Sequence, residues 1–435
     1  MSEYTYICID LKSFYASVEC VERGLDPMTA NLVVADKDRS KGTICLAVSP
    51  SMKAIGVKNR CRVYEIPETV EYITAVPRMQ LYVDYAAKIF GIYLEFFSKD
   101  DIYVYSIDEA FIDVTSYLPF YGLSARVLAK TVMDTVLERT GIRATCGIGT
   151  NLYLTKIALD ITAKHAEDFI GYLDEESYRK TLWDHRPLTD FWRIGPGTAR
   201  TLARYGILTM RDIAEADEDL MYRVFGIDAE LLIDHAWGRE PVTMADIKAY
   251  RPKSNSLSSG QVLMRDYAFE EGELIVKEMT DLLCLDLVEK ELVTDSMTLY
   301  VMYSHTALEH AEAAGAPLNR FGSAYASGSV SLPEPTDADS VWVPALAELY
   351  REIVDPEIPI RRVNITANQV APETYHQYSL FGPDESVEKN RKMQKAVLEI
   401  KKKFGKNAIL KGMNLEDAAT TRERNRQIGG HKSGE

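Results

Sequence analysis

Metal-binding thiol pairs, membrane-length apolar runs and an excess of positive charge are all missing from this 435-residue chain, and each absence narrows what it can do. The six cysteines, at positions 8, 20, 45, 61, 146 and 284, never fall in a C-x-x-C pair. That argues against zinc-ribbon and dithiol chemistry, and because most of them sit in apolar runs they read as buried free thiols. No stretch of ~18 apolar residues occurs, so no membrane span is expected. The opening MSEYTYICID lacks a basic segment followed by an apolar one, so a soluble, cytoplasmic protein is expected. A net charge of −15 argues mildly against nucleic acid as a partner, but the charge is uneven. Residues 250–383 sum to about −11 and the last fifty or so to about +5, with EIKKKFGKN the densest basic run.

What is present begins with length, enough for about three or four domains of ~100 to 150 residues. One pattern occurs twice. Residues 4–10 read as a strand, 82–97 as a helix, 102–107 and 110–115 as a hairpin, 122–139 as a helix and 143–149 as a strand, with 12–79 inserted after the first strand. The order β-α-β-β-α-β returns at 254–264, 270–291, 296–304, 323–332, 337–354 and 359–368. The fold class is therefore α+β, built on a split β-α-β sheet used twice. Between the two lies a helical region, 173–240, containing RIGPGTARTLARYGILTMRDI. There Gly195 and Gly197 open a helix that Gly206 closes, and Thr209 with Asp212 fits a capping box. After Pro372 the composition turns polar and basic, which reads as a tail carrying one helix near 385–404, with disorder at TTRERNRQIGGHKSGE.

The stretch IYVYSIDEAFIDVTS sets Asp108 and Glu109 between two strand-like runs. A tight hairpin turn would prefer Asn-Gly or Asp-Gly, so an acidic pair needs another reason, unless it is merely a solvated turn. In a split β-α-β sheet the third strand lies beside the first and antiparallel to it. Asp10, ending strand one, then meets Asp108 and Glu109, beginning strand three. Three carboxylates at one sheet edge cannot stay ionised together unless a cation neutralises them, and an all-oxygen set favours a hard divalent ion such as Mg²⁺. Directly after Asp10, LKSFYASVE projects Phe14 and Tyr15 from a first helical turn; these rings fit either ordinary core or the floor and wall of a nucleotide site. SPSMKAIGVK supplies Lys53, and TNLYLTKIALDITAKH supplies Lys156 and Lys164, which are solvated cations or triphosphate contacts.

ICIDLKSFYASVE, SIDEAFIDVT, GIGTNLYLTKIA and RIGPGTARTL together resemble the Y-family translesion DNA polymerases, closest to the UmuC-like branch in its Gram-positive form. The resemblance covers essentially the whole chain. It implies a right-hand polymerase: a palm at 1–11 and 80–172, fingers at 12–79, a helix-hairpin-helix thumb at 173–240, a linker at 241–252, a little finger at 253–370 and a flexible clamp-binding tail at 371–435. It assigns metal binding to Asp10, Asp108 and Glu109 with the carbonyl of Leu11, nucleotide contacts to Phe14, Tyr15, Lys53 and Lys164, and the sugar-facing gate to Tyr15. Two departures stand out: Lys12, where the family often has an acid or amide, and Pro50, where many members place a phosphate-binding Tyr.

The implied reaction is nucleotidyl transfer with two Mg²⁺ ions, using dNTPs and primer-template DNA and releasing pyrophosphate, with low fidelity and within an SOS-type repair response. Gly195 and Gly197 would present helix amides to a DNA phosphate, against a plain helix-helix turn as the alternative. Arg251, Lys253, Arg361 and Arg362 would meet DNA on the second sheet, against a mixed solvated surface. In HQYSLFGPD, Gln377, Leu380 and Phe381 resemble the Q-x-x-L-F motif that binds the bacterial β sliding clamp, against a short strand packed back on the second sheet. The resemblance leaves open an SOS accessory subunit or recombinase filament as a further partner. A non-catalytic clamp- and DNA-binding scaffold on the same fold is the competing reading; it would not need the carboxylates.

Overall fold

The apolar run YICIDL becomes a strand buried on both sides, β1 (Tyr6–Leu11), and the first sheet is assembled around it. The computed structural model describes residues 4–36, 42–252, 255–373 and 385–434; Lys253, Gln377, Leu380 and Phe381 lie outside the described residues. The chain divides between Tyr250 and Arg251 into two compact units.

In the first unit, β1 leads to α1 (Phe14–Val21), the short strands β2 (Leu32–Val34) and β3 (Ala47–Val48), α2 (Pro50–Ala54) and β4 (Ile73–Ala75). These short strands form a separate sheet, ordered β3-β2-β4, over a small core that includes Val33, Cys45, Met52 and Cys61. The main sheet resumes after α3 (Met79–Phe96) with β5 (Ile102–Val104) and β6 (Glu109–Asp113), then α4 (Tyr117–Tyr121), α5 (Ala125–Thr140) and β7 (Ala144–Gly149). Following α6 (Leu152–Ile157), β8 (Ile170–Leu173) adds a strand parallel to β7, giving the order β5-β6-β1-β7-β8. The expected split topology is present: β6 lies between β1 and β5, antiparallel to both. β8 was not expected, because four residues of IGYL are too short to show a period.

Two glycines bring α6 onto this sheet. A Cβ on Gly149 would stand 2.4 Å from the Thr155 amide nitrogen, and one on Gly147 would stand 2.2 Å from the Thr155 carbonyl oxygen. Only glycine allows helix backbone to touch strand backbone there. The helix runs on through a π turn at Ala158–Thr162.

Helices α7 (Glu175–Leu182), α8 (Pro196–Ala203), α9 (Met210–Ala214), α10 (Glu218–Phe225) and α11 (Asp228–Ala236) follow. The Thr209–Asp212 capping box is formed, and Gly206 ends the α8 region at φ +77°. The segment 241–252, expected to be a linker, instead carries α12 (Met244–Ala249). Met244 packs with Tyr6, Cys8, Phe111, Leu152 and Leu159, so this stretch is seated on the first sheet by apolar burial.

The second unit runs β9 (Leu257–Tyr267), α13 (Phe269–Glu289), β10 (Leu292–Tyr303), α14 (Leu308–Ala313), β11 (Tyr325–Thr336), α15 (Asp339–Ile353), β12 (Ile360–Asn368) and β13 (Ala371–Pro372). Its main strands are ordered β11-β10-β12-β9, with every neighbouring pair antiparallel. Apolar residues alternate inward to meet α13 and α15, with Trp342, Leu283 and Ile365 at the centre of the core.

The expected flexible tail is corrected by its described part. After α16 (Glu385–Phe404), residues 405–434 fold back through α17 (Thr421–Arg424) and the hairpin β14 (Gln427–Ile428) and β15 (His431–Lys432). Glu278, 1% exposed on α13, accepts hydrogen bonds from Asn414 Nδ2 at 2.8 Å and from the backbone N–H of Thr420 at 2.7 Å. Lys411 pairs with Asp281 at 2.6 Å and with Asp339. Polar composition concealed this segment, because its anchors are buried ion pairs and hydrogen bonds rather than an apolar stripe. All six cysteines are buried and free. Among the described residues no helix is long and apolar enough to cross a membrane.

Candidate active site

The register of β1 against β6 pairs Asp10 with Glu109, and the Leu11 N–H donates to the Asp108 carbonyl at 2.9 Å. Residues about a hundred positions apart thus meet at one sheet edge. Burial, and then the charges of Asp108 and Glu109, push the Asp10 carboxyl up to about 7. Glu109 is buried, and its Oε1 accepts from Lys156 Nζ at 2.8 Å and from Cys8 Sγ at 3.2 Å. Asp108 accepts from Ser106 Oγ at 2.7 Å. Lys156 is not exposed toward a ligand. It is the internal counter-ion of Glu109 and Asp160, delivered by the glycine-tight seating of α6, and although its burial would lower its pKa those two carboxylates hold it raised. Among the described residues no three His, Cys, Asp or Glu side chains already stand as a metal-holding group. The carboxylates are gathered, but Glu109 is engaged by Lys156.

Beside this edge, Ser13 caps α1 at φ +51°, a left-handed conformation that turns the chain sharply after the strand. Phe14 is 2% exposed and belongs to the core, which is the ordinary-packing alternative for that ring. Tyr15 is half-buried and stacks on Tyr82, with ring centroids 4.5 Å apart at 17°. Tyr82 is held in turn by Glu19, a fully buried carboxylate that accepts from Tyr82 Oη at 2.8 Å and from Arg78 Nε and Nη2 at 3.0 and 2.8 Å. Burial and the nearby Asp108 raise the Tyr15 hydroxyl pKa, while Arg60 opposes them. Lys53 and Lys164 are exposed, and both act electrostatically on Lys12 or on one another beside Asp10.

Comparison with known proteins places this geometry. Residues 9–160 match the impB/mucB/samB family and residues 254–380 the C-terminal domain of that family. The chain is 30% identical to UvrX of Bacillus subtilis (strain 168), whose name marks it provisionally as a UV-damage repair protein, over 98% of this chain and 97% of the relative. The chain belongs to the impB/mucB/samB family. That is the UmuC-like branch of the Y-family DNA polymerases in Gram-positive bacteria. It is also 28% identical to DNA polymerase IV 2 of the same strain, over 99% of both chains. Among solved structures, a Y-family DNA polymerase chimera, Dbh-Dpo4(243-245)-Dbh, shares the fold with a TM-score of 0.63 at 19% identity, covering 84% of this chain and 99% of that one.

The remaining candidate residues of this Y-family chain are distributed unevenly. Gly195 caps α8 with Pro196 following, and both Gly195 and Gly197 face open space, leaving the helix N-terminus approachable. On the second sheet, Arg362 is exposed and its Nε donates to Asn364 at 2.7 Å. Its neighbour Arg361 points elsewhere and pairs with Asp266 at 3.4 Å, since β12 is irregular between Ile360 and Arg362. Arg251 begins the second unit and has partners of its own.

The open face of the second sheet is richer in hydroxyls and amides than in arginines. Ser258, Gly260, Thr298, Ser329, Ser331, Asn364, Thr366 and Asn368 form a surface of small hydroxyls and amides, knitted by Asn368 Nδ2 to Thr298 Oγ1 at 2.9 Å and Thr298 to Ser329 at 2.7 Å. A polar cleft of about 550 Å³ opens at one end of it, lined by Asn255, Ser296, Ser331 and Asn368. The period-2 alternation of SMTLY and SAYASGSVS carried that signal, whereas charge counting overlooked it. Lys12, Arg60 and Arg143, which were not candidates, also stand near the first site.

Proposed function

We propose that this chain is a template-directed DNA polymerase that copies past damaged bases by two-metal nucleotidyl transfer. The pairing of Asp10 with Glu109, beside the Leu11–Asp108 backbone bond, carries the reading. In this reading residues 1–11 and 80–172 are the palm, 12–79 the fingers, 173–240 the thumb and 253–370 the little finger. The donor set fits Mg²⁺: three carboxylates and the Leu11 carbonyl are hard oxygen ligands, and an Asp10 pushed up to about 7 by burial and like charge is a group that a cation would return to its ionised form. When bound, two such ions would activate the primer 3′-hydroxyl and neutralise the triphosphate.

The chain's own residues do the rest. Asp10, Asp108 and Glu109 fix the reacting edge. Tyr15, backed by Tyr82 and the buried Glu19, offers a rigid ring where a ribose 2′-hydroxyl would clash, which separates deoxynucleotides from ribonucleotides. Lys53 and Lys164 meet the triphosphate. Gly195 and Gly197 give helix amides to a DNA phosphate, and the hydroxyl-rich face with Arg362 meets the duplex backbone, contacts that are independent of base sequence. Gln377, Leu380 and Phe381 tether the enzyme to the sliding clamp, within a damage response that includes an SOS accessory subunit or recombinase filament.

Primer extension with Mg²⁺ on undamaged and abasic templates, with and without clamp, tests this. Extension on both templates, with clamp stimulation lost when Leu380 and Phe381 become Ala, is expected. No extension on either template would overturn the polymerase reading.

A further inference from the structure

No two cysteines of this chain are spaced C-x-x-C, but folding makes a pair that spacing does not show. Ile44 bridges Arg62 in the antiparallel sense, so Cys45, the next residue on one segment, stands directly opposite Cys61, the preceding residue on the other. The backbone confirms that register. The Cys45 N–H donates to the Cys61 carbonyl at 2.8 Å, and the Val63 N–H donates to the Thr43 carbonyl at 3.1 Å. Residues opposed in this way send their side chains to one face with Cα atoms ~5.5 Å apart, inside the roughly 4.4 to 6.8 Å that a disulfide spans.

Cys8 and Cys146 give the contrast. They lie on neighbouring strands, yet Cys8 pairs with Gly147 and Cys146 with Ile9, which puts the two thiols on opposite faces of the first sheet. Cys45 is fully buried and Cys61 is 9% exposed, both in the small core with Val33, Met52, Val57 and Ile66. Burial first, and then the charge and hydrogen bonding of the Cys61 thiol, push the Cys45 thiol up to about 12. Burial raises the Tyr72 hydroxyl as well, and Cys45 and Cys61 add to that, so its oxygen lies beside the pair. Cys61 is therefore the member that an oxidant reaches, and Cys45 is the protonated partner behind it.

We propose that Cys45 and Cys61 are a reversible oxidation site at which a hydroperoxide closes a disulfide. The Cys61 sulfur attacks the terminal oxygen of the hydroperoxide, the O–O bond breaks, and the thiol proton leaves with the departing oxygen as water or an alcohol. Cys61 is then a sulfenic acid. The Cys45 sulfur attacks the Cys61 sulfur, the S–O bond breaks, and the Cys45 proton leaves with the hydroxide as water. The two thiols together lose two electrons and the peroxide gains them. A bond of ~2 Å replaces a non-bonded contact, so it draws the two segments together. One of them leads through β3 to α2, which carries Lys53; the other carries exposed Arg60, held at φ +58°, whose charge acts on the Tyr15 hydroxyl. The dithiol stands without the polymerase reading, and only its effect on nucleotide insertion rests on that reading.

The test exposes the full chain and its Cys45→Ser and Cys61→Ser variants to increasing hydrogen peroxide and maps unreduced peptides by mass spectrometry. A cross-linked peptide joining Cys45 to Cys61 is expected before Cys8, Cys20, Cys146 or Cys284 reacts. It should be absent from both variants and reversed by dithiothreitol, and the cross-linked chain should melt roughly 5 °C higher, the gain from closing a short loop. Earlier reaction at the other cysteines, sulfinic acid at Cys61 without a cross-link, or no cross-link while the chain stays folded would overturn the site. In primer extension the KM for dNTP should be about threefold higher for the oxidised than for the reduced protein, with no such difference in Cys45→Ser. A cross-linked protein with an unchanged KM would overturn the effect on insertion and leave the dithiol standing. A chain that forms the cross-link but extends no primer in either redox state would overturn the polymerase reading alone.

Discussion

The two sheets of this chain share an element order, β-α-β-β-α-β, yet they are wound differently. In the first, the opening strand lies at the centre, between β6 and β7; in the second, the opening strand β9 is at the edge and β10 and β12 hold the centre. That single difference decides what each sheet can do. A central β1 brings its C-terminal end to the N-terminal end of β6 and so concentrates three carboxylates at one edge. In the second sheet the corresponding juxtaposition, Ser296 beside Asn368 and Thr298 beside Thr366, gathers hydroxyls and amides instead. The first sheet is closed by a helix pressed onto it through glycine, and the second keeps one face bare and is strapped on the other by residues 405–434. One arrangement suits chemistry on a charged group and the other suits a long, sequence-blind contact.

The comparison breaks first at its glycines. Gly149→Ala should destabilise the first unit by about 3 kcal/mol or more, because its methyl would stand 2.4 Å from a backbone nitrogen that cannot yield. Gly260→Ala, whose nearest neighbour is the movable Asn364 side chain on the open face, should change stability by less than about 1 kcal/mol. Denaturant titration of both variants checks this, and equal losses would show that close helix seating does not distinguish the sheets.

Removing the anchor of the strap comes next. Glu278→Ala leaves the Asn414 amide and the Thr420 N–H without their buried acceptor and should cost the second unit about 2 to 3 kcal/mol. Proteolysis should then cut within 405–434 faster than in wild type; an unchanged cleavage rate would mean that the strap is held without Glu278, by the Lys411 ion pairs and its apolar contacts.

The gathered carboxylates should also be visible without any metal. Asp10 is raised in the folded state from an ordinary carboxylate value to about 7, so the native protein binds one more proton than the unfolded chain between about pH 4 and pH 7. The contribution of Asp10 to the stability of the metal-free protein is therefore fully present below that window and is lost as pH rises through it. Asp10→Asn should raise stability by about 2 kcal/mol at pH 8 and by almost nothing at pH 4, where wild-type Asp10 is already neutral. Thermal melts in chelator at the two pH values read this directly, and a stabilisation independent of pH would show that like-charge crowding is not the cause. The smallest effect separates two adjacent arginines: Arg362→Ala should weaken duplex DNA binding about threefold and Arg361→Ala scarcely at all, since only the former lies on the open face. Equal losses in a salt titration would place the duplex elsewhere.

Much of this was legible in the sequence. The helices carried 3.6-residue periods, the strands of the second sheet alternated, those of the first read as short apolar runs, and the convergence of Asp10 with Asp108 and Glu109 followed from topology alone. What stayed hidden had a common cause: it depends on pairings that no local period records. Lys156 looked like a phosphate contact, but the contact of Gly147 and Gly149 with α6 turns it inward to Glu109. The polar stretch after residue 405 looked disordered because its partners, Glu278, Asp281 and Asp339, are distant in sequence. Arg361 and Arg362 looked equivalent until the irregularity in β12 separated them.

The central claim is that the edge where β1 meets β6 is the reacting centre, and single-turnover primer extension by Asp108→Ala tests it most directly. The account predicts a loss of at least about a thousandfold in nucleotide insertion, with primer-template affinity within about twofold of wild type, because the carboxylates act at the transferred phosphate and not on the duplex. Insertion at a rate near wild type would contradict it.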